Sequence, residues 1–139
     1  MTKSDKRNET IRAFRKFARL GLSNERLSPM QAYKRIDVLC PSRRSKLDML
    51  AVYDTLRLLD FWDESASRAV REVYFRAPSR RLTKTELSHL TEDCAAACFC
   101  DVRTVYRRLE KARELMERIR EKEGMLGDGT NGINFRNFV

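Results

Sequence analysis

The chain has 139 residues, 42% of them hydrophobic and 35% charged, a composition that fits one modest core and excludes a wholly disordered protein. Its 5 Gly and 3 Pro favour an all-helical protein, and no apolar run approaches the roughly 18 residues of a membrane span. The formal net charge is +9, and the polar N-terminal segment and four Cys predict a cytoplasmic protein with neither a secretory signal nor disulfides.

The excess positive charge lies in the first third of the chain. Residues 1–47 carry 13 Lys or Arg against 4 Asp or Glu, whereas residues 48–77 carry 4 against 6 and residues 78–123 carry 11 against 9. A basic field of this kind attracts phosphate whatever the base sequence. Composition alone is equally consistent with a basic surface that only faces solvent and binds no partner. The motifs must therefore distinguish these two interpretations.

The first predicted helix covers residues 8–20. Apolar side chains recur on one of its faces at helical spacing: Ile11, Phe14, Phe17 and Ala18. The opposite face carries four cations: Arg12, Arg15, Lys16 and Arg19. We expect these cations to contact the backbone of DNA without reading its sequence. The competing interpretation is that the apolar face docks on the central helix or on a partner protein.

Three more helices are predicted before residue 78. Ser28 and Gln31 form a capping box that starts the second helix, which ends before Pro41. The third, about residues 42–61, carries Leu on more than one face and is therefore expected to be central. Asp63 can cap a fourth helix over about residues 64–76.

Two further helices, separated by a tight corner, are predicted between residues 83 and 122. A capping box of Thr83 and Glu86 starts the first, and Asp101 is the N-cap of the second, which is unusually long. Three residues are expected to pack the first helix inward: Cys94, Ala95 and Cys98. Three others form the apolar stripe of the second: Val105, Leu109 and Ala112.

The corner between these helices is Phe99-Cys100. Such corners favour Gly or another residue that tolerates a positive φ, and here Phe99 or its neighbour must adopt that conformation. A positive φ costs a bulky residue on the order of 1 kcal/mol or more. Cys100 is expected to be the apolar plug beneath the corner.

This segment, from about Leu82 to Leu115, resembles region four of sigma factors and related regulators of phage or prophage type. The residues that carry the resemblance are Thr104-Val105, Arg108-Leu109 and Ala112-Arg113. It implies a helix-turn-helix whose second helix offers its N-terminal residues to the major groove. It also implies double-stranded DNA as a partner and RNA polymerase as a second one. No segment resembling region two is recognisable in residues 1–77, so an accessory regulator is favoured over a stand-alone sigma factor.

Six residues of the long helix are predicted to contact DNA. Arg103, Tyr106 and Arg107 are expected to face base edges, where bidentate Arg–guanine contacts give specificity. Thr104, Arg108 and Lys111 are expected nearer the phosphates.

The sequence predicts no enzyme, cofactor or metal site. His89, Cys94, Cys98 and Cys100 lie close together and suggest zinc, but the three Cys occupy positions where small apolar residues pack, and a buried free Cys behaves as a small hydrophobe. No Gly-rich phosphate loop, nucleophile motif or carboxylate pair with a base is present.

The predicted fold is an all-α, multi-helix domain with a C-terminal helix-turn-helix. It divides into basic and central helices (1–77), the helix-turn-helix region (78–123) and a flexible Gly-rich tail (124–139). The predicted function is sequence-specific DNA binding in transcription regulation, and a homodimer remains open. The alternative is a helical adaptor, for example one binding RNA polymerase without reading DNA, through the Phe14/Phe17 stripe or the Phe135/Phe138 tail. Membrane binding is disfavoured because the stripe is short.

Overall fold

The computed structural model of the protein describes residues 2–24 and 26–127, with side chains up to residue 122. Within these residues all regular secondary structure is helical, which confirms the all-α prediction. The helices are α1 (Lys3–Arg19), α2 (Pro29–Leu39), α3 (Arg43–Trp62), α4 (Glu64–Val73), α5 (Lys84–Ala97) and α6 (Val102–Gly127). None of them combines the length and apolarity that crossing a bilayer requires.

Side-chain caps set where the helices begin. The predicted capping boxes of Ser28 with Gln31 and of Thr83 with Glu86 are both present. A third box, between Thr2 and Asp5, starts α1 five residues before its predicted start at residue 8. The apolar periodicity could not show this, because residues 3–8 of α1 are all exposed and polar.

Two helix ends differ from the prediction. α4 ends at Val73 rather than residue 76, and the following loop contains Ala77 with a positive φ of 42°. α6 continues to Gly127, so the first four residues assigned to the tail belong to the helix. Residues 128–139, including Phe135 and Phe138, lie outside the described residues.

The core is organised around α3 and α6. α6 contacts α1, α3, α4 and α5, and α3 contacts α1, α2, α4 and α6. The predicted stripe of α6 is buried and extends further along the helix: Val105, Leu109, Ala112, Met116 and Ile119. Burying each large apolar side chain contributes about 1.5–3 kcal/mol to stability, so this stripe fixes α6 in the domain.

Arg15 belongs to the core and not to a phosphate-binding surface, so its predicted role was wrong. Its side chain crosses from α1 to the loop after α4, and the residue is only 8% exposed. The guanidinium donates to the carbonyl oxygens of Tyr74 and Arg76 at 2.9 Å, of Ala77 at 2.8 Å, and of Arg80. These carbonyls belong to the C-cap residue of α4 and to the loop that follows it, so Arg15 fastens this loop to α1. Because its donors are used inside the fold, Arg15 is not available to DNA.

A second polar cluster joins α1, α3 and α6. The Arg120 guanidinium pairs with Glu9, and its Nε lies 2.9 Å from an Asp48 carboxylate oxygen. Arg44 also pairs with Glu9, at 2.7 Å. The hydrogen bonds from Arg120 and Arg44 lower the pKa of Glu9, whereas burial raises the pKa of Asp48. Arg120 therefore links α6 to both α1 and α3.

Replacing Arg15 with Lys tests the anchoring role. A single ammonium group keeps the charge but cannot satisfy four carbonyls, so we expect the free energy of unfolding to fall by about 2–4 kcal/mol. Urea unfolding followed by circular dichroism measures it. Arg12→Lys, at an exposed position of the same helix, is the matched control and should change stability by less than about 0.5 kcal/mol. Equal effects of the two substitutions would contradict the anchoring role.

Candidate nucleic-acid interface

The corner after α5 has the geometry of a Schellman motif. The Cys100 N–H donates to the Ala95 carbonyl at 3.0 Å, and the Phe99 N–H donates to the Ala96 carbonyl at 3.3 Å. Phe99 has a φ of 54°, as expected for the corner residue, and its side chain is 98% exposed. The end of α1 has the same pattern, but Gly21 occupies the positive-φ position there, with a φ of 77°. The corner is thus well formed despite an unfavourable residue.

Asp101 starts α6 directly after this corner. Its Oδ1 accepts the Arg103 N–H at 2.8 Å, and its backbone carbonyl accepts the N–H of Thr104 at 3.0 Å. The predicted N-cap is therefore present. Behind the corner, Cys94 and Ala95 are buried, as predicted, whereas Cys98 and Cys100 are only half-buried. The Cys100 sulfur lies 3.8 Å from an Arg108 nitrogen.

The exposed surface at the start of α6 carries Arg103, Tyr106 and Arg107, which we call the α6 face. No described residue pairs with the Arg103 or Arg107 guanidinium. The Tyr106 hydroxyl lies 3.2 Å from the Ser88 hydroxyl, so it links the α6 face to α5. These three side chains occupy neighbouring turns at the end of the helix that Asp101 caps, and they are free to contact a ligand in solvent.

The residues predicted nearer the phosphates are less exposed or already paired. Thr104 and Arg108 are half-buried. The Lys111 ammonium lies 2.7 Å from an Asp63 carboxylate oxygen, and this contact lowers the pKa of Asp63. Asp63 also caps α4, accepting the Ala66 N–H at 3.2 Å. A phosphate contact by Lys111 would have to break or share this ion pair.

A basic cleft lies between α1 and the loop that leads into α5. It has a volume of about 1200 Å³. Its exposed cations come from three parts of the chain: Arg12 and Arg19 from α1, Arg44 from α3, and Arg80, Arg81 and Lys84 from the segment that leads into α5. Two of them are paired with carboxylates, Arg44 with Glu9 and Arg80 with Glu86 at 2.6 Å. Lys16 also lines the cleft, half-buried, and donates to the Ser45 hydroxyl at 2.6 Å. The carboxylates of Glu9 and Asp48 are paired with arginines.

The second half of the cleft is not predicted from the sequence. In the sequence, Arg80 and Arg81 are visible only as part of a basic turn. Nothing local shows that Arg15 draws this loop onto α1. Lys84 and Ser88 lie four residues apart on α5, and therefore on one face of it. Because Ser88 contacts Tyr106, the exposed face of α5 connects the cleft to the α6 face.

A thiol–carboxylate cluster lies beside the interface, between α4 and α5. It consists of Glu72, Cys94 and Cys98, which each place one potential ligand atom within 4.8 Å of the other two. Burial, and then the neighbouring Glu72 and Cys98, raise the pKa of the Cys94 thiol to about 12. His89 is exposed and is not part of the cluster. Nothing local in the sequence joins Glu72 to the two Cys, because Glu72 belongs to another helix, α4.

Taken together, the α6 face presents two guanidinium groups that no described residue pairs with, the basic cleft presents clustered positive charge, and the face of α5 that carries Lys84 and Ser88 connects the two. Guanidinium groups bind both base edges and phosphates, so the chemistry of the surface fits nucleic acid. Comparison of the chain with protein-family models, with curated protein sequences and with solved structures yields no match.

Phe99→Gly tests the strain at the corner. Glycine adopts a positive φ without penalty, and the exposed phenyl ring loses no packing, so we expect the free energy of unfolding to rise by about 0.5–1 kcal/mol. Ala96→Gly, at an exposed position in the last turn of α5, is the control and should lower it by about the same amount. Urea unfolding of both variants measures whether each substitution raises or lowers the free energy of unfolding. A loss of stability in Phe99→Gly would refute the strain.

Proposed function

We propose that the protein is a sequence-specific DNA-binding regulator of transcription, in which α5 and α6 form a helix-turn-helix similar to region four of sigma factors. One observation carries the proposal: a capped helix begins directly after a tight corner and presents Arg103, Tyr106 and Arg107 to solvent in its first turns. A recognition helix needs this arrangement to bring the side chains of its N-terminal turns to base edges.

The α6 face has the chemistry for reading bases. The major groove is about 12 Å wide and admits one α-helix, and the commonest specific contact within it is an arginine bonded to guanine O6 and N7. Arg103 and Arg107 are exposed, and neither must give up an ion pair with a described residue to make such a contact. The buried stripe on the opposite side of α6 holds the helix still while its first turns enter the groove.

The basic cleft has the chemistry for binding the DNA backbone. Of the α1 cations predicted to do this, Arg12 and Arg19 are exposed, and Arg80, Arg81 and Lys84 add to them from the other side. Cations that neutralise phosphates release condensed counterions, which makes binding steeply dependent on salt. In this proposal the cleft supplies affinity and the α6 face supplies specificity.

A second candidate function, protein docking, is favoured by a different surface from the one first expected. Phe14 and Phe17 are buried in the core, so the stripe proposed as an adaptor surface is not accessible. By contrast, Phe61 and Trp62 at the end of α3 are 77% and 75% exposed, with ring centroids 4.9 Å apart. Such a pair could contact a partner such as RNA polymerase, with or without DNA binding.

Replacing both Arg103 and Arg107 with Ala tests the sequence readout. A duplex selected from a random library by the wild-type protein serves as the probe in a fluorescence-anisotropy assay. Since each bidentate contact gives about 1–3 kcal/mol of discrimination, we expect the double variant to lose at least tenfold of its preference for the selected duplex over a scrambled one.

The matched control removes Arg118 and Lys122, two exposed cations near the other end of α6. It should retain the preference, although both double variants lose the same charge. If the first variant kept full preference, the α6 face would not read sequence. If the wild type selected no duplex at all, the DNA-binding proposal would fail and the docking candidate would remain.

Replacing Arg12 and Arg19 with Gln tests the basic cleft. Each lost phosphate contact lowers the slope of log K against log salt by about 0.9, so we expect a decrease of up to about 1.8 with unchanged sequence preference. Substitution is preferred to deleting α1, because deletion would remove Phe14 and Phe17 from the core. Arg26→Gln with Lys34→Gln, away from the cleft, should leave the slope unchanged, and a decrease of the same size there would contradict the assignment.

A further inference from the structure

The thiol–carboxylate cluster has the composition and spacing of a metal site. Cys94 lies in the last turn of α5, and Cys98, four residues later, is the C-cap of that helix, so both thiols project from the same side, toward α4. Glu72 occupies the last turn of α4 and places its carboxylate beside them, with the potential ligand atoms all within 4.8 Å of one another. Sulfurs bound to zinc at about 2.3 Å in a tetrahedron lie about 3.8 Å apart, so only small side-chain movements separate this cluster from coordination geometry.

The Glu72 carboxylate supplies an independent observation. One of its oxygens, Oε2, is buried, although the side chain as a whole is 25% exposed, and no N–H or O–H group of a described residue donates a hydrogen bond to it. The other oxygen lies 3.3 Å from the Arg68 Nε. Its neighbours are the thiols, which are only weak donors, so the burial of this oxygen costs free energy, and a cation placed between Glu72 and the thiols would remove that cost.

We propose that Glu72, Cys94 and Cys98 bind a thiophilic divalent cation of the zinc class, with water as the fourth ligand. Two sulfur ligands select against magnesium and calcium, which prefer oxygen. Binding replaces the thiol protons, which are released to solvent, and leaves two thiolates and one carboxylate on the cation. The cation would fasten the end of α4 to α5 next to the corner at Phe99. This site does not depend on the proposed DNA-binding function.

A substitution of Arg68 distinguishes metal binding from a purely structural role of the cysteines. Its guanidinium pairs with Glu72 and adds a positive charge next to the proposed cation. Removing that charge should therefore strengthen metal binding, whereas removing a ligand should weaken it. The variants Arg68→Gln and Glu72→Gln, four residues apart on α4, should have opposite effects on affinity.

Cobalt(II) serves as the probe, because thiolate–cobalt bonds give a charge-transfer absorption that reports sulfur ligation. The full chain is titrated under reducing, metal-free conditions, and zinc is then added as a competitor. We expect one cobalt per chain, displaced by zinc, with tighter binding in Arg68→Gln. Glu72→Gln removes a direct ligand, so the affinity should fall at least as much as it does when an outer-shell partner is lost, about 10- to 100-fold. Stoichiometric zinc should also raise the Tm of the wild type.

Cysteine variants identify the ligands. Cys94→Ala combined with Cys98→Ala should abolish the charge-transfer absorption, whereas Cys100→Ala, the control beside the cluster, should leave it unchanged. Circular dichroism checks that these variants are folded. If the double cysteine variant does not fold, the opposite effects expected for the Arg68 and Glu72 variants test metal binding without it. The proposal is overturned if the wild type shows no saturable absorption, if the absorption depends on Cys100, or if the Arg68 and Glu72 variants bind cobalt as the wild type does.

Discussion

Burial of one face of α6 is the constraint on which the rest of the structure depends. The stripe from Val105 to Ile119 packs in a core shared by α1, α3, α4 and α5, so the orientation of α6 is fixed along most of its length. The side chains on the opposite side of its first turns are exposed as a consequence. The same helix thus holds the domain together and presents the α6 face, and the proposed function needs both properties, because a recognition helix must be rigid to read bases.

Polar contacts between distant parts of the chain decide which charges are free. Arg15 is used in closing the loop after α4, and Arg120 in joining α6 to α1 and α3. The formal net charge of +9 therefore overstates what a ligand can reach. The cations that remain exposed around the cleft, such as Arg12 and Arg81, come from segments that Arg15 brings together. An internal arginine thus shapes the proposed phosphate-binding surface without belonging to it.

Features set by local interactions could be predicted from the sequence. The capping boxes, the Asp101 cap, the apolar stripe of α6 and the positive φ at Phe99 each depend on residues within a few positions of one another. The roles of Arg15, Arg120 and Glu72 could not be predicted in this way, because their long side chains contact residues on other helices. Periodicity places such a residue on a face but does not say what lies opposite. The DNA contacts themselves remain predictions.

In the proposed function, the first turns of α6 and the basic cleft together bind DNA. Chemical-shift mapping of the isotope-labelled full chain against its selected duplex tests this most directly, since it reports every backbone amide in one titration. We expect the largest chemical-shift changes at residues 101–108, at residues 80–85, and near Arg12 and Arg19. Changes confined to α2, or to the end of α3 around Phe61 and Trp62, with residues 101–108 unaffected, would contradict it.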